Sequence, residues 1–143
     1  MNSATKTLYD TDFAEWSDRT AELLRAGRLD EVDIENVAEE IASLGRAERK
    51  GVRSQLQRLI MHKIKQQLQP ERDSTSWQTS ITEARQALLD DIDDSPSLRL
   101  HLEENLQKLY RRAIEAALVE TRLDYDPLPN ACPWDLDTLL ASK

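Results

Sequence analysis

Little in this 143-residue chain would interrupt a helix: it has three glycines and five prolines. Aromatic residues are also few, with one phenylalanine, three tryptophans and three tyrosines. Those shortages argue against many short strands joined by tight turns and for a few long helices. The single cysteine, Cys132, excludes an intrachain disulfide and fits a reducing cytoplasm. The longest apolar run, AALV at 116–119, has four residues and is too short to span a membrane. The opening stretch, MNSATKTLYD, has no apolar core of the kind a secretory signal needs. Acids outnumber bases 27 to 19, a formal charge of −8 that repels nucleic acid and anionic membranes. The expectation is a cytoplasmic protein with no membrane role.

What is present is helical periodicity. The residues Asp10–Asp12 offer capping oxygens for a first helix that carries Phe13, Trp16, Leu23 and Leu24. Gly27 suits a left-handed stop after it. Asp33 suits the cap of a second helix, with apolar residues at 34, 37, 41, 44, 52, 56, 59 and 60 and a stop at Pro70. Gly45 and Gly51 lie inside that helix, each costing up to about 1 kcal/mol relative to alanine, and a break or kink is expected at Gly45. A third helix runs from about Ser74 to Ile92, with Trp77 at the start of its buried stripe. The fourth takes Ser95 as its cap and Pro96 in its first turn, and continues to about Thr121. The segment LDYDPLPNACP reads as an extended connector, and WDLDTLL as a short last helix anchored by Trp134.

These elements predict an all-α fold: an up-and-down bundle of four to five helices with a short C-terminal helix. One helical domain over 1–143 is expected, with 1–8 frayed and 122–143 forming the connector and short helix. The tryptophans are expected inside, each opening a helix on its apolar side.

The stretches LYDTDFAEW, LLRAGRLDEVDIENVAEEIASLGRAER, HKIKQQLQPE, SWQTSITEAR, SPSLR and ACPWDLDTLL together resemble the bacterial family catalogued as domain of unknown function 29. They occur in family order and cover nearly the whole chain. Val32 and Val37 stand where leucine is more usual, and Gln66 and Gln67 where an aromatic often follows the lysine. The resemblance implies an all-helical fold in a bacterial cytoplasm. It implies no catalytic residue and no cofactor, because the family carries no established activity.

Two groups of residues are candidate sites. Glu39 and Glu40 are adjacent carboxylates, and with His62 they could form a metal or acid/base set. Glu40 and His62 are 22 residues apart, or about 33 Å along an unbroken helix, and the Glu-x-x-His spacing of di-iron bundles is absent. At about 100° per residue the two glutamates fall on opposite flanks of the Ile34/Val37/Ile41 stripe, where solvated or ion-paired carboxylates sit. Glu40 is expected to pair with an arginine from another helix. His62, at the stripe's edge, reads as a packing residue, and His101 and Cys132 have no partner in sequence that would make them ligand or nucleophile.

The second group is the basic face Arg46, Arg49, Lys50 and Arg53. It could meet phosphate backbones, or it could answer the acidic stretches at 30–40 and 90–94 within the fold. No aromatic interleaves it, so stacking on single strands is not expected. With no recognisable catalytic set, the favoured function is a non-catalytic helical protein acting through protein–protein contacts. Its partner would be another protein or a second copy, and its proposed docking element the Trp/Pro-rich tail from Tyr125 to Leu140. Glu39, Glu40, His62 and Trp77 are candidate structural or interaction residues. A nucleic-acid-associated factor using the basic face is the alternative, although nucleic acid is disfavoured by the overall charge.

Overall fold

The computed structural model describes residues 7–123 and 127–141. Six α-helices account for most of them: α1 (Leu8–Thr11), α2 (Phe13–Arg25), α3 (Ile34–Leu68), α4 (Thr75–Asp94), α5 (Ser97–Thr121) and α6 (Leu136–Leu140). No strand occurs among the described residues. The fold is all-α, with a short C-terminal helix as the periodicity predicts. Its contacts divide into two compact units, Met1–Arg46 and Ala47–Lys143. The expected frayed start falls mostly outside the described residues, as do Tyr125 and its neighbours in the connector.

In the first unit, the caps follow the local sequence. Asp12 accepts a hydrogen bond from the Glu15 backbone N–H at 3.0 Å and so starts α2. Gly27, at φ 73°, ends it. The Gly27 N–H bonds to Leu24 O and the Arg28 N–H to Leu23 O, the paired closure that a left-handed residue permits. Asp33 then accepts from the Asn36 N–H and starts α3. Val32 is the one apolar side chain buried in this unit among the described residues.

Of the break or kink expected at Gly45, the break does not occur: Ile34–Leu68 is one continuous α-helix. An interior glycine costs about 1 kcal/mol, whereas a break would expose several backbone groups, each needing a new partner. The glycine is the smaller penalty.

The second unit holds the core. Val52, Leu56, Leu59, Ile60 and Ile64 of α3 are buried against Ile81, Ala84 and Leu88 of α4 and Leu98, Leu102, Leu109, Ala113 and Ala117 of α5. The spacing is the three-and-four pattern of a helix with one covered face. Ser74 starts α4 by accepting from the Trp77 N–H. Ser95 does not cap α5. Its hydroxyl donates to Glu48 at 2.9 Å instead, and Pro96 takes the helix's first flanking position. The tail docks on its own unit. Leu136, Leu139 and Leu140 are buried; the Tyr110 hydroxyl donates to Pro129 O at 2.7 Å, and Arg85 Nε to Leu139 O at 3.2 Å. Asp135 starts α6 by accepting from the Thr138 N–H.

Candidate functional site

The residues singled out from sequence occupy unlike environments. Glu39 is exposed and bonded to Arg46 Nη2 at 2.5 Å, seven residues on along the same helix. Glu40 is half-buried, and its partner is not an arginine. The Tyr9 hydroxyl, from α1, donates to Glu40 Oε2. That hydrogen bond, with burial and the negative charges of Glu40, Glu39 and Asp10 behind it, pushes the Tyr9 phenol up to about 12. Tyr9 also packs edge-on against Trp16, with ring centroids 4.7 Å apart, and Trp16 lies 5.4 Å from Phe13. These contacts hold the short α1 and the start of α2 together.

His62 is buried in the second unit, and its Nδ1 has no hydrogen-bond partner among the described residues. Burial lowers its pKa below the ordinary 6.5; Lys65 and Arg58 lower it further, and Glu120 opposes them. Its surroundings therefore favour the neutral imidazole over the charged one. Lys65, one turn on, is also buried: its Nζ lies 3.2 Å from Glu120 Oε1 and 4.8 Å from the centre of the Trp77 ring. Trp77 itself is half-buried, as are Trp16 and Trp134, so none is as enclosed as the sequence suggested. Trp134 lies under Lys63 at 5.4 Å. Cys132 Sγ donates to Trp134 O at 3.2 Å, and burial pushes the thiol up, away from the thiolate a nucleophile needs.

The basic residues do not share one condition either. Arg46 is taken up by Glu39, as above. Arg53 is half-buried, with its guanidinium 2.9 Å from His101 Nε2. Because a guanidinium only donates, His101 accepts at Nε2. Arg49 and Lys50 are exposed. No group of three or more His, Cys, Asp or Glu side chains among the described residues is arranged to hold a metal ion.

The feature that sequence reading missed is on the surface of the first unit. Nine large apolar side chains are exposed among the described residues, and six of them, Phe13, Leu24, Leu29, Ile34, Ile41 and Leu44, belong to this unit. Ile41 and Leu44 are 64% and 72% open to solvent, on the stripe that periodicity reads as buried. A hollow of about 730 Å³ lies in the same unit, lined by Trp16, Arg19, Leu23, Arg28, Glu31 and Asp33, among others. Arg28 is clamped on Glu31 through Nε and Nη2. Apolar periodicity shows which face of a helix is greasy; it carries no signal of whether anything covers it.

The family model described as Domain of unknown function DUF29 matches residues 8–143, and the chain belongs to that family. No curated protein and no solved structure matches it. No helix among the described residues is long and apolar enough to cross a membrane.

Proposed function

We propose that this chain is a non-catalytic protein of the bacterial cytoplasm that acts by binding another protein, through the first unit. One observation carries the reading: six of the nine exposed large apolar side chains fall between residues 13 and 44. Scattered apolar residues on a surface mean little, but a concentration of them marks an interaction site. The unit's own interior supports this. Apart from Val32 it buries no apolar side chain among the described residues. The tail, by contrast, spends its leucines inside its own unit and offers less to a partner.

The test is retention from a native extract by the wild type and by an Ile41→Ser/Leu44→Ser variant, read by mass spectrometry. The reading expects a defined set of proteins held by the wild type and lost by the variant. An identical set on both, or none on either, counts against it. The alternative, a nucleic-acid factor using Arg46, Arg49, Lys50 and Arg53, has less support, because Glu39 neutralises Arg46 and Arg53 is engaged by His101. A gel-shift series at low and moderate salt separates the two readings, since phosphate contacts weaken steeply with salt.

A further inference from the structure

We propose that the surface of the first unit receives a basic, amphipathic helix of a partner protein, laid along the α3 stripe Ile34, Val37, Ile41 and Leu44. This rests on the protein-binding reading above and adds the chemistry of the partner.

The stripe has the form of a helix-receiving seam. Its four apolar residues fall at i, i+3, i+7 and i+10, one face of a helix. Their Cα positions span about 15 Å at 1.5 Å per residue, the length of nearly three turns of a partner. Ile34, Ile41 and Leu44 are exposed, and Val37 is half-buried. Helical rotation puts Ala38 and Gly45 along one flank, where small side chains let a second helix approach closely. Asp33 and Glu40 lie along the other; Asp33 also accepts from Asn36, and Glu40 from Tyr9 of α1. An amphipathic helix docks on such a surface by its own i, i+3, i+4, i+7 anchors.

Charge selects among the occupants. Residues 1–46 carry 11 acids and 5 bases, a formal −6, while 47–143 carry 16 and 14, a formal −2. Most of the chain's net charge therefore sits with the apolar surface. Two of the unit's arginines are already engaged, Arg46 by Glu39 and Arg28 by Glu31. A second copy would bring the same acidic surface against this one, and like charges brought together oppose association. An acidic helix meets the same repulsion. A helix with leucines on one face and lysines or arginines on the other satisfies both the stripe and its field, and the attraction also speeds encounter.

The full chain tests this by fluorescence anisotropy with three labelled peptides of about 18 residues, some five helical turns. One is a leucine/lysine amphipathic helix. The second has the same pattern with glutamate for lysine. The third has the first peptide's composition, scrambled to destroy the apolar face. The first is expected to bind at least about ten-fold more tightly than either control and to weaken as salt rises. Ile41→Ser/Leu44→Ser is expected to weaken it by a similar factor. Leu44→Lys, which sets a like charge in the seam, should do the same with a different side chain; circular dichroism checks that both variants keep the wild-type helix content. Equal binding of the scrambled or the acidic peptide overturns the proposal, as does binding that survives the variants. Sedimentation equilibrium supplies the remaining outcomes. If no peptide binds but the chain forms a dimer that Ile41→Ser/Leu44→Ser breaks, a second copy is the occupant: the basic helix is wrong and the protein-binding surface stands. If no peptide binds and the chain stays monomeric, the basic helix is wrong, and an empty native-extract experiment then removes the protein-binding reading as well.

Discussion

The Tyr9 hydroxyl donates its hydrogen bond to the Glu40 carboxylate across 31 residues of sequence. Glu40 therefore serves the first unit by tying α1 to α3. A phenol that donates to a carboxylate resists ionisation, and the Tyr9 pKa accordingly rises to about 12. Phenolate absorbance isolates it: the titration difference between wild type and Tyr9→Phe should show a group ionising well above the ordinary 10.0. Glu40→Gln removes the charge and should bring that group down. The stability follows the same sign. A phenol raised on folding contributes below its unfolded value of 10.0, and the contribution is lost as pH climbs from there through about 12. If Tyr9 titrates near its ordinary value, the tie is absent in solution. Glu40→Gln should leave bound metal unchanged, and its loss on mutation would revive the metal reading.

His62 gives the opposite end of the pH scale. Its pKa is lowered in the fold, by burial first and by Lys65 and Arg58 next. The unfolded chain therefore takes up the proton more readily, so stability is full above about 6.5 and is lost as pH falls below it. Urea unfolding midpoints at about pH 7 and pH 5, across the histidine range, should fall on acidification in the wild type. His62→Leu should reduce that fall. His101, lowered by burial and by Arg53 and Arg49, contributes to what remains. An unchanged acid slope in His62→Leu would mean that His62 is solvated in both states.

How much of this was legible beforehand depends on range. The caps at Asp12 and Asp33 and the left-handed stop at Gly27 could be read because each involves residues within a few positions. The Tyr9–Glu40 tie could not, because nothing in either residue's neighbourhood names the other. The break expected at Gly45 is absent because a residue preference of about 1 kcal/mol is smaller than the backbone bonding of a 35-residue helix. Ser95 misled because a hydroxyl able to cap α5 found Glu48 instead. The α3 stripe was half legible. Val52, Leu56 and Leu59 are buried as periodicity says, and Ile41 and Leu44 have the same spacing and are exposed.

That difference along one stripe is measurable. Leu102 is fully buried between the helices of the second unit, and Leu44 is 72% exposed. Leu102→Ala should cost about 2–5 kcal/mol, from lost transfer energy and the cavity left behind. Leu44→Ala should change stability by about 0.5 kcal/mol or less. Chemical denaturation of both variants decides it. A Leu44→Ala cost approaching that of Leu102→Ala would show that Leu44 is covered in solution by the chain itself or by another copy, and the concentration dependence of the midpoint would say which.

The two glycines with open surroundings should respond in opposite directions to one substitution. Gly51 lies inside α3, and a Cβ added to it meets nothing within 4 Å. Its backbone is helical, so alanine adds no strain there and removes the entropy that glycine loses on folding. Gly51→Ala should stabilise by about 0.5–1 kcal/mol. A Cβ added at Gly27 also meets nothing within 4 Å, so space is no obstacle; the φ of 73° is. A side chain in that left-handed conformation costs about 1–2 kcal/mol, and Gly27→Ala should destabilise by about that much unless the first unit opens too easily for the loss to register. Thermal unfolding alone could miss a local opening, so amide exchange across Leu23–Arg28 is the better readout. Faster exchange there in Gly27→Ala, with the second unit unchanged, is the expected result. If exchange does not change, α2 does not end in the left-handed turn that Gly27 supplies.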